Sequence, residues 1–245
     1  MTVRNHMAII RNLRNVDQSG VSDVHINKLR MAFSHDSWKN SRVLPFRFIA
    51  AARHAPKWEP YLEQAMFKCL EGQEKLPGKT VLVIDVSGSM GGALSGNSEM
   101  NRFESAAALA ILAREICEEV AIYATAGNDH TRIHQTSIVP SRRGFALRDV
   151  MRLQMEKLGG GGIFLVQCMD YVFEKEKNAD RVFVFTDEQD CDLKLKPESA
   201  NAFGSYNYLF NVAAYKNGIG YQKWTHIDGF SEHVLEWVRE NETQQ

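Results

Sequence analysis

Val81 to Met90 reads VLVIDVSGSM. Four apolar residues break abruptly into Asp85, Ser87 and Ser89, each one residue apart. A continuous apolar run of this kind suits a central parallel strand buried on both faces. A carboxylate and two hydroxyls at the end of such a strand suit a hard cation held by oxygen atoms. About a hundred residues later, VFVFT is a second buried-strand pattern and ends at Asp187. In open α/β sheets, ligands bind outside the carboxyl ends of the strands. Asp85, Ser87, Ser89 and Asp187 are therefore the candidate ligands of an Mg2+ or Mn2+ site.

The pattern on either side of this motif changes character. Downstream, TVLVID, VAIYATA, RVFVFTD, YLFNVAAY and KWTHID read as strands. Between and after them, RFESAAALAILAREICEE, RGFALRDVMRLQMEKL, FLVQCMDYVFEKEK and SEHVLEWVRENE read as helices, the last capped by Ser231. Strand and helix in alternation predict an α/β fold with a doubly wound, mostly parallel sheet over residues 78–245. Upstream, RNHMAIIRNLRN, SDVHINKLRMAF, VLPFRFIAAARH and WEPYLEQAMFKCLEG carry apolar residues at helical spacing, with Ser22 as an N-cap, prolines early and Gly72 at a helix end. Residues 1–75 are thus expected to be a short α-helical segment, with QEKLPGK as the connector.

The chain has 245 residues and a formal net charge of −1, 44% of it hydrophobic and 24% charged, which is ordinary globular composition. The charge is unevenly spread. Residues 1–79 hold 13 Lys+Arg against 7 Asp+Glu, and residues 80–245 hold 16 against 23. A basic segment beside an acidic domain suggests different partners for the two. Arg4, Arg11, Arg14, Lys28, Arg30, Arg42, Arg47, Arg53 and Lys57 are the candidate phosphate-binding residues, with a solvated helical face as the plain alternative. His6, His25 and His54 with Trp38 and Trp58 could stack on bases, although core packing is the default for tryptophan. No apolar run is long enough to span a bilayer, and MTVRNHMAII lacks the order of a secretory signal. Cys69, Cys117, Cys168 and Cys191 are scattered without C-x-x-C spacing, so reduced thiols in a cytoplasmic protein are expected.

No nucleophile elbow or phosphate loop is present, and no enzyme is read from the chain. His130 and His134 in DHTRIH read as an exposed hairpin rather than a metal pair, and Glu188 and Asp190 in TDEQDCD as a solvated loop.

DVSGSM followed by FTD at Phe185–Asp187 resembles the metal-ion-dependent adhesion site of von Willebrand factor A (vWA) domains. AIIRNLRNV, RVLPFRFIAA and AMFKCL upstream, with CMDYVF, VFVFTD and DGFSEHVLEWVREN downstream, resemble the Ro (TROVE) family more closely. That resemblance implies the end of a helical-repeat region followed by a vWA domain carrying the metal motif. It also implies a noncatalytic ribonucleoprotein subunit that binds small noncoding RNAs, structured or misfolded. The family places a Thr after a glycine pair as a further metal-associated residue; here Gly159 to Gly162 are followed by Ile163. The glycines read as a loop before a helix, as a weak site with water in place of the Thr, or as a site that holds no metal. The alternative function is a vWA protein-interaction module whose partner completes the metal's coordination, with no RNA role. Finally, the apolar stripe of HMAIIRNL reads as an uncovered repeat face that folding back on the vWA domain, self-association or a separate chain could cover, and self-association or a protein subunit covering the N-terminal helices is expected.

Overall fold

The computed structural model describes residues 5–94, 100–192, 204–213, 223–229, 231 and 233–243. The chain divides into two compact units, Met1–Glu74 and Lys75–Gln245. The boundary falls within the predicted connector.

The first unit contains four helices among its described residues: α1 (His6–Gln18), α2 (Asp23–Phe33), α3 (Phe46–His54) and α4 (Glu59–Leu70). Asn5 starts α1 by accepting a hydrogen bond from the Ala8 N–H at 3.0 Å, which satisfies one of the orphan donors of the first turn. Ser22 is the N-cap of α2, but its hydroxyl bonds to the His25 ring at 2.8 Å rather than to a backbone amide. The core is aromatic. Trp38, from a 3-10 turn over Asp36–Asn40, stacks on Phe33 at 5.5 Å and meets the edge of Phe48 at 5.4 Å. All three are fully buried. The Trp38 indole N–H donates to the Ala32 carbonyl at 2.8 Å, and Trp58 donates to Asp17 at 3.0 Å. The two tryptophans are core residues and present no face for stacking on bases.

The apolar stripe of α1 is covered within the protein, with Ile10 and Leu13 buried. The expectation of an uncovered α1 face is corrected accordingly. The exposed large apolar side chains of this unit lie instead on α2, at Val24 (63% exposed) and Met31 (74%).

The second unit is built on a six-stranded sheet: β1 (Leu76–Asp85), β2 (Cys117–Asn128), β3 (Ile133–Ile138), β4 (Arg181–Thr186), β5 (Tyr206–Asn211) and β6 (Thr225–Asp228). Their order is β3-β2-β1-β4-β5-β6, all parallel except β3, which pairs antiparallel with β2 at one edge. The helices are α5 (Arg102–Ile116), α6 (Gly144–Leu158), α7 (Leu165–Lys175) and α8 (Val234–Thr243). Val81–Ile84 on β1 and Val182–Phe185 on β4 are fully buried, as their unbroken apolar runs require. The α/β, mostly parallel fold expected from the alternation is the fold observed.

Three boundaries differ from the sequence reading. The α5 helix ends at Ile116, and Cys117–Glu119 already belong to β2, where Cys117 pairs with Leu76 and Glu119 with Lys79 across a register shift in β1. Leu76–Lys79, read as connector, begin β1. The β5 strand stops at Asn211, and the end of YLFNVAAY beyond Ala213 lies outside the described residues. One buried ion pair ties the chain's last helix to the sheet. Arg181, at the start of β4, is 1% exposed; it donates to Glu242 of α8 through Nε at 2.7 Å and through Nη2, and to Thr80 Oγ1 at 2.9 Å.

Candidate metal centre and nucleic-acid interface

The β1 and β4 strands are neighbours and parallel, so their carboxyl ends deliver Asp85 and Asp187 to one edge of the sheet. Asp85 is fully buried. Its Oδ1 accepts the Ser87 N–H at 2.8 Å and its Oδ2 accepts the Thr186 hydroxyl at 2.7 Å. Burial, followed by the nearby Asp187 carboxylate, pushes the Asp85 carboxyl up to about 7. The Ser87 and Ser89 hydroxyls are 3.1 Å apart. All four residues proposed from sequence therefore meet at one place, in an oxygen-only set of two carboxylates and two hydroxyls.

Arg102 also occupies this place. Its Nη1 lies 2.6 Å from Asp187 Oδ2 and 3.2 Å from the Ser89 carbonyl, and the pair is buried. Arg102 is the first residue of α5, behind a capping box in which Asn101 accepts the Glu104 N–H at 2.7 Å and Glu104 accepts the Asn101 N–H at 3.1 Å. A cation at a helix N-terminus opposes the helix dipole, and the acidic partner just after β4 offsets that cost. The donor set fits a hard divalent ion, but such an ion shares Asp187 with a guanidinium already bonded to it.

The Gly159–Gly162 segment runs beside this motif. Gly159 and Gly160 have φ of +77° and +66°, where L side chains are strained. The Gly161 carbonyl accepts the Gly88 N–H at 3.2 Å. A Cβ on Gly161 would stand 2.1 Å from the Gly127 carbonyl oxygen. The loop thus meets the Asp-x-Ser-x-Ser turn with backbone alone, and no hydroxyl from it enters the site. A cavity of about 390 Å³ opens alongside, lined by Gly127, Asp129, His130, Lys157, Gly159 and Gly161 among others.

The acidic residues after Asp187 are not a solvated loop. Asp190 accepts the Leu165 N–H at 3.3 Å and so caps the first turn of α7. Glu188 is 1% exposed, has a left-handed φ of +59°, and pairs with His226 on β6. Sequence reasoning missed Thr186, Arg102, Glu188 and His226. The signals were present: an arginine at a helix start, and the alternating His226 and Asp228 on β6, with Asp228 ending that strand as Asp85 ends β1. His130 lies in the β2–β3 turn and His134 on β3; His134 bonds to Thr136 at 2.8 Å and packs near Tyr171.

In the first unit, Arg11, Arg14, Lys28, Arg30, Arg42, Arg47, Arg53 and Lys57 are all exposed, while Arg4 lies outside the described residues. They are distributed over α1, α2, α3 and the turns flanking α3. Arg30 donates to Asn27 at 3.2 Å and lies over the Tyr61 ring at 5.8 Å. His6 packs against Trp38 at a tilt of 31°, ring centroids 4.1 Å apart, and bonds to Ser37.

A family model of the Ro60 vWA domain matches residues 79–216. The chain belongs to the Ro60 vWA family. Among solved structures, the Ro protein (RSR) of Deinococcus radiodurans is similar over 91% of this chain and 50% of its own length, at 18% identity and a TM-score of 0.65. That likeness shows a shared fold, and the present Ro-family chain spans about half the length of the Deinococcus protein. An aerotolerance-related membrane protein of Bacteroides fragilis is 13% identical over 55% of this chain and 67% of its own, at a TM-score of 0.34. No curated protein matches the chain at a significant level. Among the described residues of this Ro vWA chain, no helix is long and apolar enough to cross a membrane.

Proposed function

We propose that this chain is a noncatalytic, cytoplasmic, RNA-binding subunit of a ribonucleoprotein, with small structured or misfolded RNA as its ligand. The observation that carries the reading is the exposure of eight basic residues on the helical unit, in a chain whose second unit is a Ro vWA domain. Exposed lysines and arginines on a helical scaffold meet phosphates without regard to sequence, which suits a protein that sorts RNA by shape and free ends. The acidic vWA unit repels phosphate, so the helical unit carries the RNA in this account.

The vWA metal motif belongs to the proposal as a weak Mg2+ or Mn2+ site formed by Asp85, Ser87, Ser89 and Asp187. Bound there, the cation would neutralise two buried carboxylates, of which Asp85 is otherwise pushed up to about 7. Self-association, or a protein partner, also belongs to it, supported by the exposed Val24 and Met31 on α2. The test is to purify the protein at low salt and ask for nucleic acid in its ultraviolet absorbance. RNA that leaves as salt is raised supports the reading. A nucleic-acid-free protein that holds a stable protein partner instead overturns it in favour of a protein-interaction module.

A further inference from the structure

We propose that Glu188, His226 and Asp228 form a second cation site, separate from the Asp85–Asp187 motif and selective for a transition-type divalent ion such as Zn2+. Glu188 follows the end of β4, and His226 and Asp228 lie on β6, which is separated from β4 by β5. Each offers one ligand atom, and the three atoms lie within 4.8 Å of one another. His226 Nε2 is paired with Glu188 Oε1, and His226 Nδ1 stands 3.7 Å from Asp228 Oδ2. The imidazole is thus held between two carboxylates.

A buried Glu–His pair alone accounts for part of this arrangement, and two further observations go beyond it. The second carboxylate oxygen of Glu188, Oε2, is buried and accepts no hydrogen bond among the described residues. An acceptor left bare in a side chain that is 1% exposed is costly, and a bound cation is one way to satisfy it. The third ligand is also held in place from outside. Asp228 Oδ1 accepts the Asn211 side-chain N–H at 3.0 Å, and Asn211 Oδ1 accepts the Ala213 N–H at 3.1 Å. Partners of this kind orient a ligating carboxylate.

The ligand types decide the ion. One imidazole nitrogen with two carboxylates favours Zn2+ and its neighbours over Mg2+, which prefers oxygen and retains its waters. Three protein ligands leave a fourth position open to water or to an anionic group of a ligand. The site therefore differs in chemistry from the all-oxygen motif next to it, although Asp187 and Glu188 are adjacent in the chain.

The experiment uses the full chain, stripped with chelator and titrated with Zn2+ by calorimetry in excess Mg2+, which occupies the all-oxygen motif. Co2+ absorption in the visible serves as a second probe, because its intensity distinguishes a four-coordinate protein site from the weakly absorbing hydrated ion. The expected result is one Zn2+ bound per chain, with affinity lowered at least about tenfold in His226→Gln. Asp228→Asn tests the same site at a half-exposed position where folding is not at stake, and it should weaken binding likewise. Asp85→Asn should leave Zn2+ affinity unchanged. No Zn2+ binding in excess Mg2+, or binding that Asp228→Asn and His226→Gln leave intact, overturns the proposal. Loss of Zn2+ binding in Asp85→Asn alone would assign the ion to the other motif and overturn it equally.

Discussion

Arg102→Met removes the guanidinium from the metal motif while keeping most of the stem's bulk. In the native protein, Arg102 Nη1 lies 2.6 Å from Asp187 Oδ2, and the two side chains are 11% and 0% exposed. Without it, Asp187 keeps the Gln189 N–H at 3.2 Å and faces an Asp85 carboxyl already pushed up to about 7. Breaking a buried ion pair from one side costs about 3–5 kcal/mol, because a buried charge is left uncompensated. A divalent ion that takes the guanidinium's place returns part of this. At a hundredfold excess over its Kd, the gain is about 2.7 kcal/mol. The chain has two units, so a single global unfolding transition is a poor readout. Hydrogen exchange of peptides spanning β1 and β4 reads this unit alone. In chelator the variant should exchange faster than wild type across both strands, and Mg2+ or Mn2+ should slow it again. The wild type, with Arg102 competing for Asp187, should respond less to either ion. A variant as protected as wild type in chelator would refute the ion pair's role. A loss that no divalent ion restores would refute the carboxylate site.

Glu242→Gln should destabilise the second unit by about 3–5 kcal/mol, since Arg181 is 1% exposed and loses its carboxylate partner; hydrogen exchange of peptides spanning β4 and α8 measures it. Gly161→Ala should cost about 1–3 kcal/mol by overpacking, because its Cβ would stand 2.1 Å from the Gly127 carbonyl oxygen; exchange protection at Gly88 and Gly127 should fall with it. Burial, and secondarily His35, lower the His6 pKa below its ordinary value. The folded helical unit therefore binds fewer protons here than the unfolded chain. That contribution to stability is present above the unfolded pKa near 6.5 and is lost as pH falls through the folded value. His6→Asn should flatten this acid-side decline, followed by hydrogen exchange of peptides from α1 and α3 corrected for the intrinsic rate at each pH.

The parts of the fold that are legible in sequence are those dominated by one strong local signal. VLVIDV and RVFVFT are unbroken apolar runs, and they form the central strands β1 and β4. Their polar ends name four metal-motif residues that do meet in space. What stays hidden is pairing at a distance. Nothing near Arg102 in the chain announces Asp187, which lies 85 residues away. Glu188 looks like one acid among several until β6 brings His226 against it. The Cys117–Glu119 boundary escapes a sequence reading because CEE continues a helical pattern, and only register with β1 makes it a strand. The α1 stripe looks uncovered because its covering comes from later helices, which periodicity within α1 cannot reveal.

The central claim is that the basic helical unit holds RNA through phosphates. The most direct measurement is the affinity of the purified full chain for a small structured RNA with a single-stranded end, taken across a salt series. It is compared with a variant carrying Arg11→Glu, Arg14→Glu and Arg53→Glu. The account predicts tight, salt-sensitive binding by the wild type. In the folded triple variant it predicts weaker binding and a slope of log affinity against log salt shallower by about 2–3 units, roughly 0.7–0.9 for each phosphate no longer neutralised. Equal affinity and equal slope in the two proteins, or no RNA binding by the wild type at low salt, would contradict it.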